Sequence, residues 1–205
     1  MGNVVVKPVS SWWERRKFMY LPWTLYRNDP NWIPPLRMNQ AELLNFRHHP
    51  FYDRSQIQTF LAYRNGETVG RIAAIVNVPH NERYQERRGF FGFFESINDR
   101  EVSDALFDAG CNWLRERGMT DVRGPANPSM NYECGLLVEG FDSPPTFMMT
   151  YNPAYYVDLV EGYGFTVGRD LYAYSATPQE INLHDERLRN MASQAISFSG
   201  ATIRP

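Results

Sequence analysis

The stretch that decides the fold runs from Gly89 to Pro125 and reads GFFGFFESINDREVSDALFDAGCNWLRERGMTDVRGP. It opens with an aromatic run. From about Asp99 to Arg117, apolar residues then recur at three- and four-residue steps. Gly118 stands where a left-handed helix cap belongs, and Val122 opens a second apolar run. The pattern predicts strand, helix and strand, and a crossover of this length predicts that the two strands are parallel.

The turn from Glu95 to Arg100 is the place where this unit is expected to carry function. In sheets with parallel strands, ligands tend to lie at the carboxyl ends of the strands, beside the N-terminus of the following helix. Asn98 or Asp99 can cap that helix, with Glu101 completing a capping box three residues after Asn98.

Composition limits the classes of protein that the chain can represent. Its 205 residues are 43% hydrophobic and 21% charged, which fits one good-sized globular domain. A net charge of −2 argues against a nucleic-acid partner. No apolar run approaches the length of a membrane span, the N-terminus lacks the pattern of a signal peptide, and only two cysteines are present. These features predict a cytoplasmic protein with no membrane partner.

Upstream of the central unit, the clearest local signal is Asn65-Gly66 between two strand-like runs, Ile57–Arg64 and Thr68–Asn77, which predicts a β-hairpin. A short first strand is expected at residues 3–8. Ser11 with Glu14 predicts the start of a helix that Pro22 ends or kinks.

Downstream, the pattern predicts a strand at Thr146–Thr150, a helix from Pro153 to Tyr163, a strand at Arg169–Ser175 and a final helix from Thr177 to about Ala195. The elements together predict an α/β fold, with a mixed central sheet of six to seven strands and helices on both faces. We expect one domain over residues 1–175, followed by a C-terminal helix and linker over residues 176–205.

Two segments resemble the GNAT superfamily of acyl-CoA N-acyltransferases. NGETVGRIAA, from Asn65, resembles the hairpin that ends in Val-Gly before the third strand, and Asn152 through Phe165 resembles the late helix that closes with Gly-Phe. The resemblance covers roughly residues 3–175. The blocks GFFGFFE, RGPANP and CGLLVEGFD resemble a bacterial group of tandem GNAT-like proteins more narrowly. It implies that this chain is an N-terminal half and that a second GNAT-like domain follows.

The resemblance implies transfer of an acyl group from acetyl-CoA or another acyl-CoA to the amine of a small molecule or peptide. The turn that would hold the CoA pyrophosphate corresponds to the residues at the end of the aromatic strand: Phe94, Asn98, Asp99 and Arg100. This turn is degenerate, because it has no glycine to let a phosphate approach the backbone and because it carries acidic residues. Acidic residues in a first helical turn also act as ordinary helix caps, and the residues favour that interpretation.

Three residues are the candidate catalytic groups. Glu95 ends the aromatic strand and is a candidate general base, and Tyr155 and Tyr156 are candidate proton donors. GNAT enzymes often place a tyrosine where this sequence has Val160, so the transfer of that role to the two tyrosines stays open. The structural alternatives are an ion pair of Glu95 with Arg71 or Arg123, and aromatic packing of the tyrosines.

The long turn-rich segment after Pro125 is the candidate site for the acceptor amine. The expected substrate-binding residues are Arg123, Asn127, Asn131, Glu133 and Asn152. Side-chain hydrogen bonds that only stabilise the loop are the alternative. No metal site is predicted, because the adjacent histidines His48 and His49 lack further ligands at a suitable spacing.

Two main hypotheses follow from the sequence. The chain is a GNAT-like N-acyltransferase, or it is a non-catalytic GNAT-fold module that binds a ligand or supports a catalytic second domain. A third option is a different acyl donor such as an aminoacyl-tRNA, although the near-neutral charge leaves room only for a small RNA contact.

Overall fold

The computed structural model describes residues 2–174, 176–177, 186, 190–191 and 193–194. Contacts divide the chain into two compact units, Met1–Val167 and Gly168–Pro205. The first unit contains the sheets and both apolar cores. In the second unit, residues 168–174 form neither helix nor strand, and residues 186, 190, 191, 193 and 194 are helical.

A five-stranded mixed sheet forms the centre of the first unit. Its strands lie side by side in chain order: β1 (Val4–Pro8), β2 (Ser55–Arg64), β3 (Glu67–Asn77), β4 (Arg88–Ser96) and β5 (Asp121–Arg123). The pairs β1–β2, β2–β3 and β3–β4 are antiparallel, and β5 is parallel to β4. The predicted crossover is therefore confirmed. The hairpin is confirmed as well, since Asn65 and Gly66 have φ of 53° and 84°, as a tight hairpin turn requires.

A two-stranded antiparallel sheet follows β5. It consists of β6 (Ala126–Asn127) and β7 (Glu133–Cys134). The helices are α1 (Trp12–Leu25), α2 (Arg37–Leu43), α3 (Val78–Tyr84), α4 (Arg100–Arg115) and α5 (Tyr155–Tyr163), and Pro50–Asp53 form one turn of 3-10 helix. The α/β class is confirmed, and the seven strands found in residues 2–174 are divided between a sheet of five and a sheet of two.

The aromatic run of β4 contributes side chains to the apolar cores on both faces of the main sheet. Phe91 and Phe94 belong to the core under α4 and α5, whereas Phe90 and Phe93 belong to the core under α1 and α2. In a regular strand, residues two apart share a face, so the three-residue spacing within each pair shows that the strand is interrupted between them. The interruption is a β-bulge, where the register between β3 and β4 shifts and Phe93 takes a φ of 49°.

Several local expectations are corrected by the structure. Pro22 lies inside α1, which continues to Leu25, and residues 78–84 form α3 because Asn77 caps their first turn through the His80 N–H. Residues 146–150 contain no strand, and residues 169–174 do not form the expected last strand. Most of the expected final helix lies outside the described residues.

Candidate functional site

Glu95 lies at the end of β4, and donors from three other elements surround its carboxylate. The hydroxyls of Tyr26, at the end of α1, and Tyr156, on α5, both donate to Glu95 Oε2, at 2.9 and 2.7 Å. Arg71, on the neighbouring strand β3, reaches Oε1 at 3.4 Å. The Glu95 side chain is only 13% exposed. The structure therefore shows the ion pair with Arg71, and it adds two tyrosine hydroxyls.

Arg71 is held by a carbonyl group that Pro22 leaves free. In a regular helix the N–H of residue 22 would donate to the carbonyl of Phe18, but proline has no N–H. The Arg71 guanidinium donates to that Phe18 oxygen at 2.7 Å and lies 4.9 Å from the centre of the Phe18 ring. The Arg71 Nε atom is buried without a hydrogen-bond partner among the described residues. The Phe18 carbonyl, left free by a proline inside the helix, is thus the acceptor for a buried cation.

The two adjacent tyrosines of α5 form hydrogen bonds with the end of β4. Tyr156 accepts the Ser96 N–H at 2.9 Å while its own hydroxyl donates to Glu95. Tyr155 donates to the Ser96 carbonyl at 2.8 Å. Tyr156 is buried and Tyr155 is half-buried. Both hydroxyls therefore meet at the end of the strand that carries Glu95.

Burial shifts the proton affinities of this cluster. It raises the pKa of Glu95, and the charge of Arg71 and the two hydroxyl donors act in the opposite direction. Burial likewise lowers the pKa of Arg71 and raises the pKa of Tyr156 well above its usual value. The tyrosine hydroxyls remain protonated donors at neutral pH, so the hydrogen-bond acceptor in the cluster is Glu95.

Glu133 is a second carboxyl group near this cluster, and its surroundings differ from those of Glu95. It lies on β7, where it pairs with Asn127 of β6. Burial, followed by the nearby charge of Glu95, raises the pKa of Glu133 to about 7. No hydrogen bond or ion pair to its carboxylate is present within residues 2–174. A carboxyl group with a pKa near neutrality and no donor can accept or release a proton under physiological conditions.

The β-bulge of β4 faces the strand that follows β5. Pairing between β4 and β5 ends at Phe90 and Arg123, and the chain then brings Ala126 and Asn127 against the bulge. The Phe93 N–H donates to the side-chain oxygen of Asn127 at 2.6 Å. A side chain at Gly92 would collide with the Ala126 carbonyl, so glycine is required here by the close approach. The space beside the bulge is thus filled by Asn127.

The N-terminus of α4 carries a carboxylate cap. The Asp99 side chain accepts the Val102 N–H, and Arg64 binds both Asp99 oxygens at 2.6 and 3.2 Å. Arg64 also reaches Glu101 at 2.8 Å. The bond from Arg64 is the main reason why the pKa of Asp99 is lowered. An anionic ligand at this helix end would have to displace or share the place of a carboxylate.

The other residues that were expected to bind a ligand at this turn make different contacts. Arg100 donates to the Gly162 carbonyl and lies 3.5 Å from Asp104, while Asn98 is exposed. Phe94 is buried in the core, where it stacks on Phe107 with ring centres 4.7 Å apart. These placements agree with a well-capped helix.

The expected acceptor residues divide into three groups. Asn127 and Glu133 lie together beside the Glu95 cluster. Asn152 is buried and uses its amide on backbone groups, accepting from the Leu137 N–H and donating to the Leu137 and Pro153 carbonyls. Arg123 and Asn131 are exposed. The side-chain amide of Asn152 thus has backbone partners within the loop, and these hydrogen bonds stabilise the loop.

Sequence reasoning missed Tyr26 and the Phe93 N–H. Tyr26 is 69 residues away from Glu95 in the chain, and no local pattern connects them. The bulge had no clear signal either, because an aromatic run on both sides of one glycine is equally compatible with a regular strand that is buried on both faces.

The chain was compared with family models, with curated proteins and with solved structures. No family model matches it. It is 42% identical over 176 residues to "Bacterial ceramide synthase" of Caulobacter vibrioides, a match that covers 85% of this chain and 46% of that protein. It is 40% identical over 159 residues to "Protein YghO" of Escherichia coli K12, covering 78% of this chain and 40% of that protein. The chain thus spans about half the length of the curated relatives it matches.

Among solved structures, an aminoglycoside acetyltransferase from an uncultured soil metagenomic sample, in complex with sisomicin, aligns over 85% of this chain and 95% of its own. The TM-score is 0.51 at 12% identity. A GNAT-family acetyltransferase from Staphylococcus aureus aligns over 58% of this chain and 71% of its own, with a TM-score of 0.43 at 18% identity. At such identities the likeness concerns the fold alone.

Proposed function

Because the chain has the fold of the GNAT acetyltransferases, we propose that it belongs to an N-acyltransferase and that Glu133 is the general base for the acceptor amine. The observation that supports this proposal is that two neighbouring carboxyl groups have different surroundings. Glu95 is already bonded to Arg71, Tyr26 and Tyr156, whereas Glu133 has a pKa of about 7. A base with this pKa accepts a proton at neutral pH and releases it again.

In this proposal Glu133 takes a proton from the acceptor nitrogen, which makes the nitrogen nucleophilic towards an acyl carbonyl. Glu95 acts as a positioning residue, because its hydrogen bonds fix Tyr26, Tyr156 and the end of β4 around the site. As the amide bond forms, the C–S bond of the thioester breaks, and Tyr155, whose side chain is half-buried and whose hydroxyl donates to the Ser96 carbonyl, is the proton donor to the departing thiolate. The expectation that made Glu95 the base is replaced by this assignment.

The acceptor class is inferred from the relatives. A ceramide is an amide of a fatty acid with a long-chain amino alcohol, so the name of the Caulobacter protein describes N-acylation of a lipid amine. The metagenomic acetyltransferase is named for aminoglycosides, which are also amines. We propose a long-chain amino alcohol as the acceptor and a fatty acyl thioester, such as acyl-CoA, as the donor.

The residues at the α4 N-terminus do not fit a CoA pyrophosphate. The turn holds no glycine, and Asp99 with its Arg64 partner already occupies the first amides of the helix. The proposal therefore places no phosphate subsite there. Acyl-CoA supplies an activated carbonyl when it binds. The assignments above concern the acceptor side.

The test is an assay of acyl transfer from palmitoyl-CoA to sphinganine in detergent micelles, in which the released thiol is measured. The variant is Glu133→Gln. We expect Glu133→Gln to lower kcat/KM by about 10²- to 10⁴-fold. The rate of the parent chain should rise with pH up to about 7 and then level off, because the base must be deprotonated. The matched control is Glu139→Gln, an exposed glutamate on the same segment, which should keep full activity. Equal activity of Glu133→Gln would refute the assignment.

The second candidate is a non-catalytic module, and two observations favour it: the carboxylate cap of α4 and the Asn127 side chain beside the bulge. Calorimetric titration with acetyl-CoA and palmitoyl-CoA separates the two candidates. A dissociation constant in the micromolar range supports the enzyme, while no response at millimolar ligand supports the module. Loss of binding in Arg100→Glu but not in Tyr156→Phe would place the phosphates at the α4 turn after all.

A further inference from the structure

Helix α1 presents an unusual face to solvent at its start. Trp12 and Trp13 are 62% and 68% exposed, although tryptophan is on average a largely buried residue. Arg16 and Lys17 follow four residues after each of them, so the four side chains form one stripe on the helix. Both cations are exposed. The opposite face of α1, with Phe18 and the residues around it, is buried in the core.

The beginning of α2 extends this stripe. Arg37 donates to the Tyr20 hydroxyl at 2.8 Å, and its guanidinium lies 5.4 Å from the centre of the Tyr20 ring. Arg16 approaches the same ring at 4.9 Å. Leu36, beside Arg37, is 79% exposed. We call this surface the α1–α2 face, and it consists of Trp12, Trp13, Arg16, Lys17, Leu36 and Arg37.

Charge is distributed unevenly between this region and the rest of the chain. Residues 12–47 contain six Arg and Lys against three Asp and Glu, although the whole chain has a net charge of −2. Glu14 caps α1 through the Ser10 and Ser11 backbone, which lowers its pKa to about 2 and keeps it ionised, and Asp29 accepts the Tyr151 hydroxyl. Counting all three carboxylates, residues 12–47 keep a formal excess of three positive charges, and the basic residues Arg16, Lys17 and Arg37 are part of it.

We propose that the α1–α2 face docks on the surface of an anionic lipid bilayer. Tryptophan rings favour the level of the lipid headgroups, and arginine and lysine bind lipid phosphates while their aliphatic stems lie on apolar surface. Each basic residue near an anionic surface adds to the attraction. A nucleic acid would match the charges but would leave Leu36 without an apolar environment, which is why the structure favours lipid.

This contact is peripheral. No helix among the described residues is long and apolar enough to cross a bilayer. The expectation of no membrane partner came from the absence of a spanning segment and from the composition of the whole chain. The α1–α2 face appears only when two separate helices fold together. Helix α1 also connects this face to the candidate site, because Tyr26, which follows the other end of the helix, donates a hydrogen bond to Glu95.

The test is co-sedimentation of the 205-residue chain with vesicles of phosphatidylcholine alone and with vesicles in which phosphatidylglycerol replaces a third of the lipid. We expect binding to the anionic vesicles, weak binding to the neutral vesicles, and a loss of binding at high salt. The variants Trp12→Ala/Trp13→Ala and Arg16→Glu/Lys17→Glu should each lower the partition coefficient by about tenfold or more. Leu36→Asp is a further variant outside α1.

The matched control is Arg83→Glu/Tyr84→Ala, which changes an exposed cation and an exposed aromatic residue on α3. It should bind as the parent does, and circular dichroism should show that every variant is folded. The proposal is overturned if the chain ignores anionic vesicles or if the face variants bind as tightly as the control. It is also overturned if single-stranded oligonucleotides, or a second copy of the chain, occupy the face in place of vesicles.

Discussion

Glu95 and Glu133 are two carboxyl groups near one strand end, and their partners set them apart. Glu95 receives donors from α1, β3 and α5, and these bonds keep its geometry fixed. Glu133 has no such donors and is held in an environment that disfavours its charge. A pair of carboxyl groups with unlike environments is a common way to divide positioning and proton transfer between two residues.

Glu133→Gln should stabilise the protein at alkaline pH. The pKa is about 7 in the folded chain against a usual value of 4.5, so stability falls as the pH rises between these values. The variant removes the buried charge. We expect its free energy of unfolding to exceed that of the parent by about 1–3 kcal/mol at pH 8, and the gain to vanish near pH 5. Urea unfolding at both pH values measures it. A Glu133→Gln chain that is less stable than the parent at pH 8 contradicts the prediction.

Removal of the tyrosine hydroxyls should destabilise the chain in a definite order. Tyr156→Phe removes one of the donors to Glu95 and also the acceptor of the Ser96 N–H, whereas Tyr26→Phe removes one donor to Glu95 alone. We expect losses of about 1–3 kcal/mol for each, with the larger loss for Tyr156→Phe. Tyr155→Phe, which removes the single hydrogen bond that this half-buried side chain donates to the Ser96 carbonyl, is the comparison and should lose about 1 kcal/mol or less. Denaturant unfolding tests this order, and equal losses for all three would refute it.

The sequence predicted part of this site and missed the rest for a physical reason. Glu95 follows from its place at the end of an apolar strand, and Glu133 from its place in a long polar segment. The bonds from Tyr26 and from the Phe93 N–H depend on how α1 and β6 pack on the sheet. These are tertiary contacts, and residue spacing does not encode them.

At the scale of secondary-structure elements, local rules worked where local interactions decide the outcome. The capping box of Ser11 and Glu14, the hairpin turn and the left-handed conformation of Gly118 after α4 all appear as expected. Pro22 does not end α1, and the Phe18 carbonyl that it leaves free accepts a hydrogen bond from Arg71 in place of the missing helix bond. Tertiary contacts override helix propensity at such a position.

Two glycines in the central unit should respond oppositely to alanine. Gly110 lies inside α4, and a methyl group there would meet Ile72 and Ala74 only at ordinary contact distances of 3.8 and 3.9 Å. Gly110→Ala should therefore stabilise the chain by about 0.5–1 kcal/mol. Gly92→Ala should destabilise it by about 1–3 kcal/mol, because the methyl group displaces Ala126. Thermal unfolding of the two variants measures this difference in stability. If both variants are stabilised, or both are destabilised, the result is evidence against the close packing at the bulge.

The cap of α4 should contribute a stability that acid removes. Asp99→Ala removes the acceptor for the Val102 N–H and a partner of Arg64, and should cost about 1 kcal/mol at pH 7. The pKa of Asp99 is lowered in the folded chain, so its contribution is complete above 3.8 and is lost as the pH falls further. Unfolding curves of parent and variant should converge at low pH. A difference that persists unchanged there would show that the charge is unimportant.

At the scale of the whole molecule, both apolar cores lie within residues 4–165, on the two faces of one sheet. The expected domain boundary near residue 175 stays a proposal, as does a second GNAT-like half. The matched relatives are about twice as long as this chain, which leaves room for such a half.

A chain that ends at residue 175 should fold by itself. Because the residues of both cores are retained, we expect one cooperative thermal transition and a native far-ultraviolet circular dichroism spectrum. The control is a chain that ends at residue 150, which lacks α5 and therefore Tyr156 and Leu159 of the core. If the longer fragment is as unfolded as the shorter one, residues 1–175 are not a domain.

The hydrogen bond between Phe93 and Asn127 has a consequence for any affinity measured at the bulge. A ligand carbonyl that takes this N–H must first evict the asparagine carboxamide, so only the fraction of molecules with the asparagine turned away is competent to bind. The Asn127 side chain therefore competes with every such ligand for the Phe93 N–H. A binding constant measured there reports the exchange of one occupant for another, and shortening Asn127 to alanine should tighten every such ligand by a common factor.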